Sequence, residues 1–541
     1  MIQVANEPGT LEGESAVGTS SPTRLRLLLT ASLVSSLIML DSNIVAVSLP
    51  TIGRSLGASF TDIQWVISAY VLTYAALLLA AGNFADLRGR RQAMVLGLVV
   101  FAVASGACGL ATTATLLNLA RAVQGIGGAL LLTASLAIIS NAFKGAERTH
   151  AFAFWGASLG IALSVGPIAG GAITNFFGWR WIFLTNVPAC AGLIVATYRV
   201  IDESRDPSAK KMDFPGIVTF SMGLALLIWG LIDGNDSGWN ARSILLKLGA
   251  AFALFVAFIF LEVRQQRPMV DFGLFRKRSF AGAILAMIGY GASAQVMVFF
   301  LPLFLQNAYG FAPLYAGIAM APFALPMVLA PRITAKLAAH FSGRALLTTG
   351  LAISMVGNIL FWIIARTDLS YPFFAFGMFI SGCGAGLLNG QTVKVLQAAV
   401  PEDRAGMASG LASTTRFIGI LVSVALLGAI LSSVTRTAFR TASTMLGLSL
   451  VSTEAAGKLI TSGNFEGLRN IVPADRLAEL HDAALAAYAR GFSAACLLAA
   501  ALAAAACLLT FSLVSAADTA ASGVSLMRKI PCRTLDCRDP L

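Results

Sequence analysis

The chain has 541 residues, of which 57% are hydrophobic and 12% are charged, and its formal net charge is +12. A soluble domain is about half apolar and about a quarter charged, and a disordered chain is more polar still. The composition excludes both classes and predicts a polytopic membrane protein, because the apolar residues fall in long runs along nearly the whole sequence.

A polar lead, residues 1–24, precedes the first apolar run, which we expect to be a retained span and not a cleaved signal peptide. It is long, contains Asp41 and ends without an A-x-A cleavage site. About 20 apolar residues cross a bilayer as a helix, and fourteen runs meet this length. The predicted spans are 27–49, 63–81, 93–114, 116–139, 151–175, 181–200, 215–234, 243–261, 280–305, 312–334, 345–365, 371–395, 406–434 and 488–516.

The basic charge is distributed unevenly between the two sets of loops. The termini and the loops on their side carry 25 Lys and Arg, and the other side carries 11, of which six lie in or beside the segment 435–490. Cytoplasmic loops are enriched in Lys and Arg, and long segments follow this bias poorly. We therefore expect both termini in the cytoplasm, and the positive charge needs no nucleic-acid partner.

Three short motifs recur at offsets of 257, 256 and 254 residues in equivalent topological places. The pairs are Gly125-Ile126-Gly127 with Gly382-Cys383-Gly384, Glu147-Arg148 with Asp403-Arg404, and Gly89-Arg90 with Gly343-Arg344. Such a parallel repeat is typical of transporters of the major facilitator type. We expect an all-α fold with two six-helix halves, 25–200 and 280–516, separated by two inserted helices in 201–279.

Two further segments flank the last span. Segment 435–487 is polar and is predicted to form an external loop. Its end, Pro473 to Arg490, has leucines near helical spacing and predicts a surface amphipathic helix that leads into the last span. An envelope adaptor protein that docks on 435–487 is a partner that the sequence leaves open. Residues 517–541 are predicted to be a cytoplasmic tail.

Asp41 is the one carboxylate well inside a predicted span, where a charge costs at least about 2.5–3.5 kcal/mol unless it is paired or hydrated. Arg121 lies at a similar depth in span 4, so the two could pair or share a hydrogen-bond network with Gln124. Two roles stay open for Asp41: proton or cation coupling, or a structural ion pair. Arg416 in span 13 is a second buried cation, for which we consider a coupling role or packing against helix carbonyls.

The loop after span 2 and the glycines of span 5 are the other candidate functional segments. The loop predicts a charged latch between helices, with Asp86 at a neighbouring helix N-terminus. The alternative is a basic topology determinant. The candidate residues are Gly82, Asp86, Gly89, Arg90 and Arg91. In span 5, small residues permit close helix packing and a proline can bend the helix, so a hinge and simple packing are both open. The span 5 residues are Gly156, Gly160, Gly166, Pro167, Gly170 and Gly171.

Motifs for soluble chemistry are missing from the sequence. There is no P-loop, no H-E-x-x-H, and no cluster of Cys or His with metal-ligand spacing. We expect a transporter that is not an enzyme, with no metal and no cofactor, and with an ion gradient as its energy source.

Five motifs in order resemble the major facilitator superfamily, and in particular its 14-helix drug:proton antiporters of the EmrB/QacA type. Gly82-x-x-x-Asp86-x-x-Gly89-Arg90-Arg91 resembles the loop-2 motif, Arg121-x-x-Gln124-Gly125 the span-4 motif, and Gly156 to Gly171 the antiporter motif. Leu40 to Pro50 and Trp179 to Pro188 are similar to the span-1 and span-6 signatures of the subfamily. The resemblance covers residues 25 to 516.

The resemblance implies proton-driven export of small amphipathic or hydrophobic compounds by alternating access across a bacterial inner membrane. It implies that Asp41 and Arg121 couple to protons and that Asp86 and Arg90 stabilise one closed state. Spans 9 to 14 lack the extra carboxylates of polyvalent-cation exporters, which disfavours dicationic substrates. By position, Tyr70, Trp155, Phe299 and Phe300 are expected to line the substrate site. The alternatives are a dedicated exporter of one natural product or siderophore, a non-transporting membrane receptor and a solute symporter.

Overall fold

The protein is described by a computed structural model, and the described part of the chain is entirely helical apart from its connections. The described residues are 21–206, 213–265, 270–367, 370–400, 405–445, 450–470 and 477–515. Apolar segments in a bilayer must satisfy their backbone groups internally, and an α-helix does so within a single segment. The predicted all-α fold is confirmed.

The helices fall into two halves and an inserted pair. The first half comprises α1 (Ser21–Leu56), α2 (Phe60–Arg88), α3 (Arg90–Gly109), α4 (Ala114–Ala142), α5 (Gly145–Phe176), α6 (Arg180–Leu184) and α7 (Asn186–Val200). The inserted pair is α8 (Phe214–Ser237) and α9 (Arg242–Arg264). The second half comprises α10 (Arg278–Tyr290), α11 (Met297–Asn307), α12 (Pro313–Ala319), α13 (Ala321–Ala338), α14 (Gly343–Ile364), α15 (Tyr371–Ala398), α16 (Ala405–Met445), α17 (Leu450–Thr461) and α18 (Leu477–Leu513).

Thirteen described helical stretches are long and apolar enough to cross a membrane. The fourteenth span is broken, because α12 and the first part of α13, Ala321–Ala330, meet at a bend of 41°. The ninth span is continuous but contains a π-helical turn, Gly291–Gln295, between α10 and α11. The fourteen spans of the sequence prediction are therefore present, with irregular backbone in the ninth and the tenth.

The internal repeat is visible in how the helices pack. In the first half, a side chain at Gly125 would collide with the backbone of Tyr70, and in the second half Gly382 stands in the same relation to Phe323. The equivalent positions are 257 and 253 residues apart, close to the offsets of the sequence motifs. Close helix approach at matching glycines thus repeats between the halves. Asp403-Arg404, one of the repeat motifs, lies outside the described residues.

The segment between the last two spans differs from its prediction. Helix α16 continues to Met445, well past residue 434, and α17 follows, with Ile460 fully buried. The predicted amphipathic helix, Pro473 to Arg490, is helical over its described part and runs into the last span without a break, because Leu477–Leu513 is one helix of 37 residues. Leu480 and Tyr488 in its first turns are buried, so packing against the bundle extends the last span.

The two halves are closed together at one face of the bundle. We call the face at which α1 begins the N-terminal face, and the other the opposite face. Toward the opposite face, Gln64 on α2 donates to the carbonyl of Val424 on α16 at 2.9 Å, and Gln306 on α11 donates to the carbonyl of Val47 on α1 at 2.7 Å. Buried amides with direct partners across the seam exclude water from this face.

Toward the N-terminal face the seam loosens along α5. Gly171, near the opposite end of α5, contacts the backbone of Pro313, whereas Gly156 and Gly160, nearer the N-terminal face, have open space at the position that a side chain would occupy. Helices α2 and α16 still touch there, because Gly410 lies against Leu79. The halves are therefore in direct contact toward the opposite face, and α5 has open space at Gly156 and Gly160 nearer the N-terminal face.

The inserted helix α8 is held to both halves at the opposite face. Asp236 accepts a hydrogen bond from Arg436 on α16 at 2.7 Å and another from the hydroxyl of Thr61 on α2. Partial burial raises the pKa of Asp236, but these two hydrogen bonds and the Arg436 charge outweigh it and hold that pKa below its ordinary value. We call Asp236, Arg436 and Thr61 the opposite-face latch.

Candidate functional site

The centre of the first half contains a buried ion pair between two helices. Asp41 on α1 and Arg121 on α4 are each 1% exposed, and the Arg121 Nη1 lies 2.6 Å from the Asp41 Oδ2. Isolated charges at this depth would be costly, and each one here compensates the other. The structure thus brings together the two residues that sequence depth alone suggested as partners.

Three polar side chains complete the surroundings of the Asp41 carboxylate. Gln124 and Asn186 donate to its Oδ1 at 3.0 and 2.7 Å, and both also donate to the hydroxyl of Ser105, at 3.1 and 3.0 Å. The Ser105 hydroxyl in turn donates to the carbonyl of Phe183 at 3.1 Å. We call Asp41, Arg121, Gln124, Asn186 and Ser105 the polar network. It links α1, α3, α4 and α7 within the first half.

The Arg121 guanidinium is held on its other sides as well. Its Nε donates to the carbonyl of Val66 at 3.2 Å, and its Nη1 also donates to the Gln124 Oε1 at 2.7 Å. The guanidinium stacks on the ring of Tyr70 at 4.2 Å from the centroid, a geometry in which a cation is attracted to the aromatic face. Tyr70 therefore separates the polar network from the space between the halves.

The hydrogen bonds and the ion pair around Asp41 stabilise its ionised form. When Asp41 is ionised, its charge balances Arg121, and its two oxygens accept three hydrogen bonds. A proton on Asp41 would neutralise the carboxylate and leave the guanidinium as an uncompensated positive charge. The Coulomb energy of such a charge with its surroundings is far larger in a low-dielectric interior than in water. A change of one proton can thus bias the packing of four helices. The coupling role of these residues stays a prediction.

A narrow cavity of about 30 Å³ lies between the halves beside this network. Its walls are mainly apolar and aromatic, as is typical of sites for small amphipathic molecules. It is lined by Ile38, Met39, Ser42, Asn43, Tyr70, Val71, Tyr74, Leu163, Gln295, Val298, Phe299, Phe417 and Ile420.

The four side chains expected to line the substrate site are placed differently from one another. Tyr70 and Phe299 line the cavity. Phe300 is 3% exposed and is not part of the lining, because it points to the other side of α11. Trp155 donates to the Ser35 hydroxyl at 2.9 Å and packs within the first half, away from the lining. Tyr74 and Phe417, which sequence position did not single out, stand in the cavity wall with ring centroids 4.6 Å apart.

At the N-terminal face, the loop-2 motif forms a charged cluster. Arg90 pairs with Asp86 one turn earlier, with its Nε and Nη2 at 3.1 and 3.0 Å from the Asp86 Oδ1. At the N-terminus of α3 the anion is Glu203, and the expectation that Asp86 lies at a neighbouring helix N-terminus stays a prediction. Glu203 accepts from the backbone amides of Arg91 and Gln92 at 3.0 and 3.2 Å, where the helix dipole favours an anion.

Gly89 is required at this cluster for two reasons. Its φ of 126° lies in the region that favours glycine, and a side-chain carbon there would collide with the Glu203 carboxylate. Gly82, by contrast, has only ordinary contact distances to Thr133. The cluster joins the loop after α2 to the segment after α7, with both partners in the first half. Its function as a conformational latch stays a prediction.

The glycines of α5 divide into two groups. Gly166 and Gly170 pack against Asn43 and Ile44 of α1, and Gly171 packs against the second half at Pro313. Gly317 on α12 returns the contact by packing against the backbone of Pro167. The α5–α12 crossing therefore needs small residues on both helices. Gly156 and Gly160 have open space where a side chain would lie.

Sequence reasoning missed Ser105 and Asn186 of the polar network, and it missed Glu203 at the N-terminus of α3. Ser105 and Asn186 are buried at 0% and 3% exposure in apolar spans, and Glu203 follows the last residue of α7. A buried amide just before Pro188 was a usable signal for Asn186. Ser105 has no such signal, because small hydroxyl residues are common in spans. Across the ranges that the structure describes, no group of three or more metal-ligating side chains occurs.

Comparisons with known proteins agree with this architecture. A family profile described as Major Facilitator Superfamily matches residues 31–424. The chain is 33% identical over 412 residues, 76% of each chain, to the multidrug resistance protein Stp of Mycobacterium tuberculosis. It is 32% identical over 490 residues, 90% of this chain and 95% of the relative, to the multidrug efflux pump LfrA of Mycolicibacterium smegmatis.

Solved structures support the fold. A bacterial homologue of the human lysosomal transporter Spinster, crystallised in an inward-facing and occupied conformation, superposes with a TM-score of 0.65. The match covers 93% of this chain and 99% of that chain at 19% identity, so it bears on the fold alone.

Proposed function

The chain belongs to the Major Facilitator Superfamily, and we propose that it exports small amphipathic or hydrophobic compounds across a membrane in exchange for protons. The observation that carries the proposal is the buried Asp41–Arg121 pair, 1% exposed, behind one aromatic wall of a cavity between the two halves. A protonatable carboxylate next to a substrate cavity supplies both parts of an antiporter. The names of the relatives Stp and LfrA, a multidrug resistance protein and a multidrug efflux pump, support export as the direction.

In the proposed cycle, the two halves rock about the cavity, which opens to one face at a time. In the present state the halves are joined toward the opposite face by Gln64, Gln306 and the α5–α12 crossing, and α5 has open space at Gly156 and Gly160 nearer the N-terminal face. A proton that reaches Asp41 weakens its pairing with Arg121, and substrate in the cavity contacts Tyr70, which stacks on the same guanidinium. Both ligands thus act on Arg121, which gives the exchange a physical basis.

We further propose that the protein lies in a bacterial inner membrane with both termini in the cytoplasm. The support is the loop charge, 25 Lys and Arg on the side of the termini against 11 on the other. The N-terminal face is then cytoplasmic, and the described state is inward-facing. An adaptor protein of the cell envelope, if one acts here, would meet the opposite face, where α16 and α17 extend beyond the apolar spans.

The test uses inside-out membrane vesicles with an acidified interior and a pH-sensitive dye. Lipophilic cations, neutral compounds and organic anions are added one at a time, and proton release is recorded for the wild type and for Asp41→Asn. The proposal predicts release that depends on the compound and is absent in Asp41→Asn. Release by a single compound of a broad panel would favour a dedicated exporter. No release with any compound, or equal release in Asp41→Asn, would contradict the proposal.

A further inference from the structure

Arg416 is a cation inside a membrane span, and it differs from Arg121 in having no counterion among the described residues. It lies 11 residues into α16, about 16 Å from the helix start, and is partly buried. No carboxylate among the described residues lies within ion-pair distance of it, and its Nε is buried without a hydrogen-bond partner. The nearest carboxylate of the membrane interior, Asp41, already compensates Arg121.

Arg416 lies next to the cavity wall and is not enclosed in the second half. Its guanidinium is 4.8 Å from the ring of Phe417, and Phe417 and Ile420, on the same helix, both line the cavity. The backbone of Arg416 packs on Gly291, the first residue of the π-helical turn, whose last residue, Gln295, also lines the cavity. π-Helical turns are frequent at functional sites.

Two buried hydroxyl groups lie near this cation. Tyr74, on α2, packs its ring 4.6 Å from that of Phe417, over which the Arg416 guanidinium lies, and Tyr290, on α10, directly precedes Gly291, which packs on the backbone of Arg416. Tyr74 is 1% exposed and Tyr290 is 0% exposed, and neither hydroxyl has a hydrogen-bond partner. Buried hydroxyls are normally paired, so these two hydroxyls and the Arg416 Nε leave three donors without acceptors in this part of the bundle. All three groups can donate hydrogen bonds, and the single charge among them is positive.

We propose that Arg416, Tyr74 and Tyr290 form a binding site for an anionic group of the transported compound. The inference rests on the proposed export function and gives its substrate class: amphipathic organic anions, such as carboxylates or ionised phenols on an aromatic body. The anionic group takes the hydrogen bonds of the three donors, and the aromatic body lies between Tyr74, Phe417 and Phe299 in the cavity. Because Tyr74 comes from the first half and the other two donors from the second, the anion connects both halves.

The test compares two probes that share a ring system and differ in charge, 2-naphthoate and 2-naphthamide. Binding to the purified full-length protein is measured by quenching of tryptophan fluorescence for the wild type, Arg416→Gln, Arg416→Lys and Tyr290→Phe. Hydrogen bonds to a charged group contribute about 2 kcal/mol, so we expect Arg416→Gln to weaken 2-naphthoate binding about thirtyfold, at 1.4 kcal/mol per tenfold. Binding of 2-naphthamide changes less than about twofold, because its amide gains little from a charge.

The two further variants separate recognition from folding. Arg416→Lys retains the charge and keeps most of the affinity for 2-naphthoate, and Tyr290→Phe loses an intermediate factor. Any of three results would overturn the inference. They are equal losses of affinity for both probes in Arg416→Gln, no preference of the wild type for 2-naphthoate, and no binding of 2-naphthoate at millimolar concentration. Export of lipophilic cations without this preference would refute the anion site alone. Preferred binding of 2-naphthoate without proton exchange would refute the export function and retain the site.

Discussion

Replacement of Asp41 by Asn tests whether the buried ion pair is both structural and functional. The substitution keeps the size of the side chain but removes its charge, and it places an amide against three donors, on Arg121, Gln124 and Asn186. Arg121 would remain 1% exposed without an anion. Loss of one partner of a buried pair typically costs about 3–5 kcal/mol, because the other charge is left uncompensated.

The double variant Asp41→Asn/Arg121→Gln provides the matched comparison. It removes both charges, so the penalty of an unpaired guanidinium disappears, and much of the lost free energy of unfolding should return. In thermal melting of the purified protein we expect the wild type to be the most stable, the double variant to be intermediate and Asp41→Asn to be the least stable. Substrate-dependent proton movement is lost in both variants, since neither has a carboxyl group at position 41.

The order of these melting temperatures decides whether the account is correct. A double variant no more stable than Asp41→Asn would show that Asp41 and Arg121 do not compensate each other. Exchange of substrate for substrate, measured as counterflow without a proton gradient, should survive in the double variant and shows that the cavity is intact. Proton coupling that persists in either variant would refute the role assigned to Asp41.

Three further predictions concern other parts of the molecule. Ser105→Ala removes the acceptor shared by Gln124 and Asn186 and should destabilise the protein by about 1–3 kcal/mol, with coupling reduced but not lost; unchanged melting would contradict the network. Gly317→Val should separate the halves at the opposite face, measured as a longer distance between spin labels at Phe176 and Tyr315. The control Gly156→Ala, at a position with open space, should leave this distance unchanged. Equal effects of the two substitutions would contradict the close approach at Gly317. The lowered pKa of Asp236 means that its latch stabilises the closed opposite face at pH values above the ordinary aspartate pKa. This stabilisation is lost as the pH falls through the lowered pKa of Asp236. The same label distance should therefore lengthen in acid for the wild type, and Asp236→Asn should abolish this dependence; a wild-type distance that does not respond to acid would contradict the latch.

Much of the architecture could be predicted from the sequence because the bilayer imposes simple rules. Apolar length gave the fourteen spans, and the recurring glycines gave the repeat, since both signals are local. The helix before the last span could be predicted because its leucines recur at helical spacing, but spacing does not reveal what its apolar side packs against. Leu480 and Tyr488 pack against the bundle, and so the helix continues without a break.

The site could be predicted only in part. Asp41 and Arg121 were identified as partners because charge inside a span is costly and their depths agree. Ser105 and Glu203 depend on contacts between segments distant in the sequence, which no periodicity encodes. Trp155 and Phe300 were chosen by depth alone, and depth does not determine the direction in which a helical side chain points.

The most direct measurement of the central claim is uphill transport in proteoliposomes with an imposed pH gradient. A compound identified in the vesicle assay is added outside, and its accumulation is followed with the interior acidic, with the exterior acidic and with the gradient dissipated by an ionophore. Proton-driven export predicts accumulation only when the interior is acidic, because outward proton flow drives the compound inward. Accumulation with an acidic exterior would indicate symport, and equal entry without a gradient would show that transport is not coupled to protons; either result would contradict the account.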